Sequence, residues 1–360
     1  MKNNQKIKSY FLRFLTRKIQ NNCEFKNVKK VLVFRYDRIG DMIVSTPIFR
    51  ELKKHNPDIE ISVLASKNNQ DIIKYNPYIS EIFINYKNNL LQDFFTLLKL
   101  RFRRFDVCIE LDHSVITHAI IRHIIINPKN IISIYKYGRY GVAGNELEIY
   151  DYFTNKDENN HFSRIWLETL IFFGINTSSS SYDIFLSSNE REKANLFLLS
   201  LNEKIKIGIN IDAFSTSKKI NIFELRKICA GLYQLNNNIR IILLASPNYR
   251  DTLLAYISEM NLDYISPSFE TETILEVSAL IEKLDMVISP DTSIVHIASA
   301  FDIPVISIHE KNNESYRLWA PTSRLSSTVF SMTEVGLYDY NIDQLLSSAG
   351  DFIKTLELEQ

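Results

Sequence analysis

The stretch from residue 284 to residue 308, LDMVISPDTSIVHIASAFDIPVISI, constrains the fold more than any other part of the chain. Its apolar runs predict a buried strand over 286–289, a helix after the polar turn 290–293, and a second buried strand after Pro304. Such an order is typical of open parallel α/β sheets, in which ligands collect at the carboxyl ends of the strands. Backbone N–H groups and the helix dipole at the turn favour a phosphate. Asp291 is also an ordinary N-cap residue, and the turn taken alone favours that role.

A second turn of the same kind lies near the start of the chain. Apolar residues predict a strand over 31–34, a helix over 42–55 and a strand over 59–64, which together form a right-handed βαβ unit. Gly40, in the polar loop between the first strand and the helix, fits either a close backbone approach to a ligand or a positive φ. Asp41 stands at the helix start, where a carboxylate stays ionised, as a general base needs. Its alternative role is again that of an N-cap.

Strands and helices alternate in both halves of the 360-residue chain. This alternation predicts an α/β protein with two Rossmann-like, doubly wound parallel-sheet domains facing a central cleft. The predicted boundaries, in chain order, are a basic amphipathic segment over 1–27, a first domain over 28–176, a polar linker over 177–188, a second domain over 189–340 and a C-terminal helix within 341–360.

The basic residues are concentrated near the start of the chain, although the formal net charge is zero. Nine basic residues and one acidic residue precede Val31, interleaved with apolar residues at spacings of three and four. This pattern predicts an amphipathic helix that either binds an anionic membrane surface through residues 1–30 or packs on the domain with a solvated basic face. A second basic and aromatic cluster, LLKLRFRRF at 97–105, strengthens the case for an anionic or membrane-borne partner. A neutral chain lacks the broad positive surface of nucleic-acid binders, so no nucleic-acid partner is predicted.

The sequence predicts a cytoplasmic location, peripheral on the inner face of the cytoplasmic membrane if the basic segment binds lipid. It shows no signal peptide, no apolar run of transmembrane length, and three widely separated cysteines without a C-x-x-C. His113, His118 and His123 recur every five residues, which scatters them around a helix. No metal site is therefore predicted.

Two blocks of residues carry a family resemblance. The first supplies Arg35, Gly40, Asp41 and Pro47 to the pattern R-x-x-x-x-G-D-x-x-x-x-x-P. The second fits D-T-G-x-x-H-x-A-x-A-x-x-x-P-V at all but one of its specified positions, through Asp291, Thr292, His296, Ala298, Ala300, Pro304 and Val305. In this order the two blocks resemble the ADP-heptose:lipopolysaccharide heptosyltransferases, glycosyltransferase family 9.

The resemblance implies a GT-B fold and transfer of a sugar with inversion at the anomeric carbon. The donor would be a nucleotide-sugar, ADP-heptose above all, and the acceptor a lipopolysaccharide core or a related lipid-linked surface glycan. Neither a metal nor a cofactor is implied, since the nucleotide-sugar is a substrate.

The resemblance also implies roles for individual residues. Asp41 would be the catalytic base, and Lys218, with Lys219 as a substitute, would offset charge on the leaving diphosphate. The rest of the donor site would consist of Asp291, Thr292, Ser293, Ile294 and His296. The acceptor side would contain Arg35, Arg38, Gly40 and Arg139. The alternatives are a buried histidine on an apolar helix face for His296 and a plain surface loop for Arg139.

The chain departs from the family pattern around the expected donor site. Ser293 stands where the family has glycine, Ile211-Asp212 replaces Pro-Gly, Ile220-Asn221 replaces Trp-Pro, and 309–311 reads His-Glu-Lys instead of Phe-Gly-Pro. These departures leave the donor open. They also keep two alternatives, a nucleotide-sugar 2-epimerase of the same fold and a degenerate binding protein without catalysis.

Overall fold

The computed structural model describes residues 9–14, 16, 25–139, 141–177, 179–201 and 205–359. The chain forms two units, Met1–Ser180 and Ser181–Gln360. The division between them lies inside the segment predicted as a linker.

The first unit is built on a parallel sheet with α-helices in its crossover connections. Its strands and α-helices, in chain order, are β1 (Lys30–Arg35), α1 (Ile39–His55), β2 (Glu60–Ser66), β3 (Glu81–Asn85), α2 (Leu90–Arg103), β4 (Val107–Glu110), α3 (Thr117–Ile126), β5 (Asn130–Ser133), β6 (Tyr152–Phe153) and α4 (Phe162–Leu167).

The second unit repeats this design. Its strands and α-helices, in chain order, are α5 (Ser188–Leu199), β7 (Ile205–Asn210), α6 (Ile222–Leu235), β8 (Ile239–Leu244), α7 (Arg250–Met260), β9 (Ile265–Pro267), α8 (Ile274–Ile281), β10 (Met286–Pro290), α9 (Ser293–Ala300), β11 (Val305–His309), α10 (Asn313–Trp319), β12 (Ser326–Phe330) and α11 (Ile342–Glu359).

Both sheets have the same strand order. The first runs β3-β2-β1-β4-β5-β6 and the second β12-β11-β10-β7-β8-β9, with every pairing parallel. This is the doubly wound order, in which strands one to three are added towards one edge of the sheet and strands four to six towards the other. The switch point between the first and fourth strands is the usual place for a ligand. The predicted pair of Rossmann-like parallel sheets is therefore confirmed. The first switch point lies between β1 and β4, and the second between β7 and β10.

The central strands are apolar because helices cover both faces of a doubly wound sheet. In β1, KVLVFR, every residue after the first is buried. At the other end of the chain, α11 packs on α6 and contributes Leu345, Ala349 and Ile353 to the core of the second unit. Helix α11 therefore belongs to the second unit.

The predicted N-terminal amphipathic helix falls mostly outside the described residues. Residues 9–14 are helical, with Leu12 buried in the core of the first unit and Tyr10, Phe11 and Phe14 exposed. Arg13 forms an ion pair with Glu146 at 2.8 Å. No helix in the described part of the chain is long and apolar enough to cross a membrane.

Candidate functional site

Asp41 lies at the carboxyl end of β1, in the first turn of α1. Its Oδ2 accepts a hydrogen bond from the backbone N–H of Arg38 at 3.3 Å, and its Oδ1 lies 3.0 Å from Nη2 of Arg35. These two bonds fix the carboxylate at the positive end of the helix dipole.

Two details of the predicted turn are wrong. The helix begins at Ile39, so Gly40 and Asp41 are helical instead of belonging to a loop. Helical backbone has a negative φ, so Gly40 does not serve a positive φ. The N-cap position is occupied by the exposed Arg38, and Asp41 lies three residues inside the helix. A close approach of a ligand to Gly40 stays a prediction.

Arg35 is buried beneath this turn and holds its acidic residues. Its guanidinium lies 3.1 Å from Oδ2 of Asp37 and 3.0 Å from Oδ1 of Asp41, and it stacks 4.0 Å above the ring of Trp166. Only 2% of Arg35 is exposed. Arg35 is thus placed to position Asp41, whereas the exposed Arg38 is the arginine of this turn that is open to a ligand.

The surroundings of Asp41 change its basicity. Burial raises the pKa of the carboxyl group above its ordinary value, Arg35 opposes this rise, and Asp37 adds to it. The helix start favours the ionised form, as predicted, and Arg35 does so as well, but burial acts in the opposite direction. A carboxylate of raised pKa is a stronger proton acceptor.

Sequence reasoning missed a second group of acids at the same switch point. Glu110 ends β4 and is fully buried, with Lys136 Nζ at 2.7 Å, His123 Nε2 at 2.5 Å and the Tyr150 hydroxyl at 2.9 Å. Burial opposes its ionisation, but Lys136 and His123 lower the pKa of Glu110 to about 2. The signal available in the sequence was a carboxylate closing an apolar strand, VCIE.

Asp112 follows Glu110 on the same strand end. Burial, Asp37 and Glu110 raise the pKa of Asp112 to about 7. Lys136 also donates to the backbone carbonyl of Asp112 at 2.7 Å, which ties this residue to the buried cluster.

Arg139, predicted on the acceptor side, lies exposed in the loop after β5. Its backbone exchanges hydrogen bonds with Val142 at 3.0 and 3.1 Å. None of the described contacts links Arg139 to Arg35, Arg38 or Asp41, so its role stays a prediction.

In the second unit, the turn between β10 and α9 is fixed from the neighbouring strand. Thr292 is the N-cap, and its hydroxyl accepts from the N–H of Ile294 at 3.3 Å. The side-chain amide of Asn210, at the end of β7, donates to the hydroxyls of Ser289 at 3.0 Å and Thr292 at 3.2 Å. The alternative that Asp291 caps the helix is therefore wrong. The backbone N–H of Ser293 opens α9, where the helix dipole favours an anion.

The carboxylate of Asp291 faces a lysine and a histidine. Its Oδ2 lies 3.9 Å from Lys218 Nζ and 4.0 Å from His309 Nδ1. Lys218 lies closer to Glu310, at 2.8 Å, and Glu310 also accepts from the N–H of Gly336 at 2.6 Å. Sequence reasoning noted the unusual His-Glu-Lys at 309–311 but missed Glu310 as the counter-ion of the predicted phosphate lysine.

Lys219 points to a different set of residues. Its Nζ lies 2.7 Å from Oδ1 of Asp212 and 3.5 Å from the centre of the Tyr249 ring. The two lysines were alternatives in the sequence, and only Lys218 is brought to the Asp291 turn by the described contacts.

The departures at 220–221 have a structural reason. Ile211 and Ile220 are both buried, and the N–H of Ile220 donates to the carbonyl of Ile211 at 3.2 Å, which closes the base of the lysine loop. Asn221 caps α6 by accepting from the N–H groups of Phe223 and Glu224, both at 3.0 Å. These residues shape the loop without altering its lysines.

His296 lies buried on α9, beside the rings of Tyr182 and Trp319 at 6.2 and 5.7 Å. Burial lowers the pKa of His296 to about 4, so its ring is neutral near pH 7. The position fits the alternative of a histidine on an apolar helix face, and a neutral ring would contribute at most a hydrogen bond to a phosphate.

Comparison with known proteins identifies relatives of this chain. The chain is 24% identical to the "Putative lipopolysaccharide heptosyltransferase 4" of Escherichia coli strain K12, over 91% of this chain and 89% of that protein. Its fold is similar to a crystal structure of a family 9 glycosyl transferase from Veillonella parvula, with a TM-score of 0.77, 16% identity and coverage of 94% and 100% of the two chains. It is also similar to E. coli ADP-heptose lps heptosyltransferase II, with a TM-score of 0.71, 16% identity and coverage of 91% and 99%.

The family model described as glycosyltransferase family 9 (heptosyltransferase) matches residues 99–335, which is more than half of the chain. The match includes the Lys218 loop and the Asp291 turn, and it begins after the Asp41 turn. This chain is a glycosyltransferase that belongs to family 9, the heptosyltransferase family of lipopolysaccharide biosynthesis.

Proposed function

We propose that this protein transfers a heptose, with inversion, from ADP-heptose to a hydroxyl of a lipopolysaccharide core or a related lipid-linked glycan. The observation that carries the proposal is the Asp41 carboxylate, held by Arg35 at the carboxyl end of β1 and made more basic by burial. An inverting displacement needs one such base for the acceptor hydroxyl.

In the proposed reaction, Asp41 accepts the proton of the acceptor hydroxyl while the oxygen attacks the anomeric carbon of the donor. The bond from that carbon to the diphosphate breaks, and ADP leaves with the bonding electrons. Lys218 and the first amides of α9 offset the negative charge that develops on the diphosphate. Support for the donor site comes from Lys218, which lies 3.9 Å from Asp291 beside the start of α9.

Binding of a diphosphate has a consequence for Lys218. Its ammonium group already lies 2.8 Å from Glu310, so the donor would share or displace that carboxylate. Glu310 thereby becomes part of the proposed donor site, although sequence reasoning did not assign it.

The acceptor side is proposed to include Arg38 and Arg139, both exposed and positively charged. The membrane surface predicted for residues 1–30 remains a prediction, as does the cytoplasmic location.

A donor screen with and without acceptor tests the proposal. ADP-heptose should raise the melting temperature by mass action, UDP-sugars should do so less, and a glycosylated product should form only when a core acceptor lacking that heptose is present. Conversion of a nucleotide-sugar to its epimer without acceptor would instead support the 2-epimerase alternative. Absence of any nucleotide-sugar binding would support a degenerate binding protein.

A further inference from the structure

Helix α2 of the first unit turns an apolar face outward. Leu97 and Leu100 are buried against the sheet, whereas Leu90 and Phe102 are 83% and 79% exposed. At about 100° per residue, the outward positions fall within about 140° of one another on the helix surface. The outward apolar residues are the exposed Leu90, Leu91, Phe94, Phe95 and Phe102, with the half-buried Leu98 between them. An exposed apolar stripe of this length is unusual on a soluble domain and marks an interaction surface.

Helix α3 extends this surface sideways. It packs along α2, with Arg122 of α3 in an ion pair with Asp93 of α2 at 2.8 Å, and with Arg101 of α2 donating to the carbonyl of Ile125 at 2.7 Å. Ile121 and Ile124 of α3 are exposed. We call the outward side of these two helices the α2–α3 face.

The α2–α3 face is bordered by positive charge. Residues 86–105 contain five basic residues and one acidic residue, and residues 117–129 contain no acidic residue. The acidic residue, Asp93, forms an ion pair with Arg122, and Arg103 forms one with Glu81 at 2.5 Å. Lys99 and Arg104 are exposed and form no ion pair within the described residues. The surface thus combines apolar side chains with unneutralised cations.

We propose that the α2–α3 face binds an anionic lipid bilayer. Its apolar side chains would enter the boundary between headgroups and acyl chains, and its cations would contact anionic headgroups. A second copy of the chain fits less well. In a twofold dimer the α2–α3 faces of both copies would form the contact. Lys99 and Arg104 of one copy would then lie near Lys99 and Arg104 of the other, and their charges would repel.

The exposed aromatic residues of 9–14 reinforce this surface. Leu12 of that segment belongs to the same buried cluster as Leu97, Leu100 and Ile126, the residues by which α2 and α3 pack on the sheet. Tyr10, Phe11 and Phe14 project from the segment that Leu12 anchors. The proposal does not depend on the proposed reaction, because lipid binding can be measured without donor or acceptor.

Co-sedimentation of the full chain with vesicles tests the proposal. The wild type should bind vesicles of phosphatidylcholine and phosphatidylglycerol, bind phosphatidylcholine alone at least tenfold more weakly, and dissociate as salt rises. Phe94→Ser with Phe95→Ser should weaken binding at least tenfold. Lys99→Glu with Arg104→Glu should weaken binding to anionic vesicles by a similar factor.

Matched control variants distinguish an effect of the α2–α3 face from a general effect of removing exposed apolar side chains or reversing exposed charges. Leu196→Ser with Leu199→Ser removes two exposed leucines of α5, and Lys227→Glu with Lys354→Glu reverses two exposed charges elsewhere. Both control pairs should bind vesicles like the wild type, and all variants should keep the wild-type circular dichroism and melting temperature.

Three results would overturn the proposal. One is wild-type binding that is absent or insensitive to lipid charge. In the second, the Phe94→Ser, Phe95→Ser variant binds vesicles as tightly as the Leu196→Ser, Leu199→Ser control. In that case Gln substitutions at Lys2, Lys6 and Lys8 would abolish binding instead. The third is a wild-type dimer in sedimentation velocity that the Phe94→Ser, Phe95→Ser variant converts to a monomer, since the face would then join two copies.

Discussion

The two switch points share a strand order and differ in how they hold charge. At the first, Arg35, Glu110 and Lys136 are at most 3% exposed, and their charges are paired. At the second, an amide and two hydroxyls shape the turn, and the charged Lys218 side chain is 25% exposed. Topology therefore determines where chemistry occurs, while the side chains at each strand end determine which chemistry it is.

The difference suits different tasks. Buried, paired charges fix a single carboxylate and tune its basicity, because low dielectric strengthens each interaction. A partly exposed lysine with a carboxylate partner can exchange that partner for an incoming anion. We therefore expect substitutions at the first switch point to lower turnover and stability. Substitutions at the second should change the affinity for the donor.

The largest expected effect is that of Asp41→Asn on turnover. Losing a general base typically lowers the rate by about 10²–10⁴-fold, so we expect kcat to fall about 10³-fold. The donor dissociation constant should change less than about twofold, because Asp41 belongs to the first unit's site. Calorimetric titration and a transfer assay on the same preparation measure the two quantities.

Asp37→Asn provides the matched control for Asp41. Asp37 also pairs with Arg35, at 3.1 Å, but its side chain is more exposed, at 28% against 16%. Its loss should lower turnover about tenfold or less. Equal turnover in Asp41→Asn and the wild type would remove the assignment of the base.

The second prediction concerns stability. Glu110→Gln leaves Lys136 fully buried without its carboxylate, and breaking a buried pair typically costs about 3–5 kcal/mol of unfolding free energy. Since the pKa of Glu110 is about 2 when folded and near its ordinary value when unfolded, its contribution is complete above about pH 4.5. That contribution is lost as pH falls from there towards 2. Urea unfolding at pH 7, and melting temperatures between pH 5 and 2.5, measure both effects.

Glu60→Gln is the control for this loss. Glu60 pairs with Lys30 at 3.9 Å, and its side chain is 61% exposed, so its removal should change stability by less than about 1 kcal/mol. A similar small loss in Glu110→Gln would mean that the buried cluster does not stabilise the first unit as argued.

The third prediction tests the second switch point. Lys218→Ala should weaken ADP-heptose binding about thirtyfold, because it removes the cation beside the Asp291 turn. Lys219→Ala should weaken it less than about threefold, because Lys219 contacts Asp212 and Tyr249 instead. Titration calorimetry with ADP-heptose gives both values.

Glu310→Gln sharpens the same comparison. Removing the counter-ion 2.8 Å from Lys218 should tighten donor binding severalfold, since the diphosphate no longer competes with a carboxylate. Equal effects of Lys218→Ala and Lys219→Ala, or weaker binding in Glu310→Gln, would contradict the proposed donor site.

The sequence predicted the repeating features of the fold better than its long-range contacts. Apolar runs and turn residues are local, so the strands predicted over 31–34, 59–64 and 286–289 were found with ends within two residues. Helix ends were less exact, because Gly40 and Asp41 were assigned to a loop although α1 begins at Ile39.

The missed residues of the candidate site depend on pairing across the sheet. Glu110 meets Lys136 and His123 from separate elements, and Glu310 meets Lys218 across more than 90 positions of the chain. No local spacing predicts such pairs. By contrast, Asp41 and Thr292 could be proposed from the sequence because their motifs are contiguous and each lies at a helix start.

The smallest expected effect concerns Asp112. Its folded-state pKa of about 7 lies above its ordinary unfolded value of about 3.9, so the folded chain retains one more proton between those pH values. Stability should therefore decline as pH rises from about 4 to 7, and Asp112→Asn, which mimics the protonated form, should abolish that decline. At pH 8 the variant should be more stable than the wild type, and at pH 4 the two should agree. Urea unfolding at both pH values decides the matter. If Asp112→Asn is no more stable than the wild type at pH 8, then burial and the charges of Asp37 and Glu110 do not raise the pKa of Asp112. The first switch point would then be a set of satisfied ion pairs, without the excess negative charge that distinguishes it here from the donor turn.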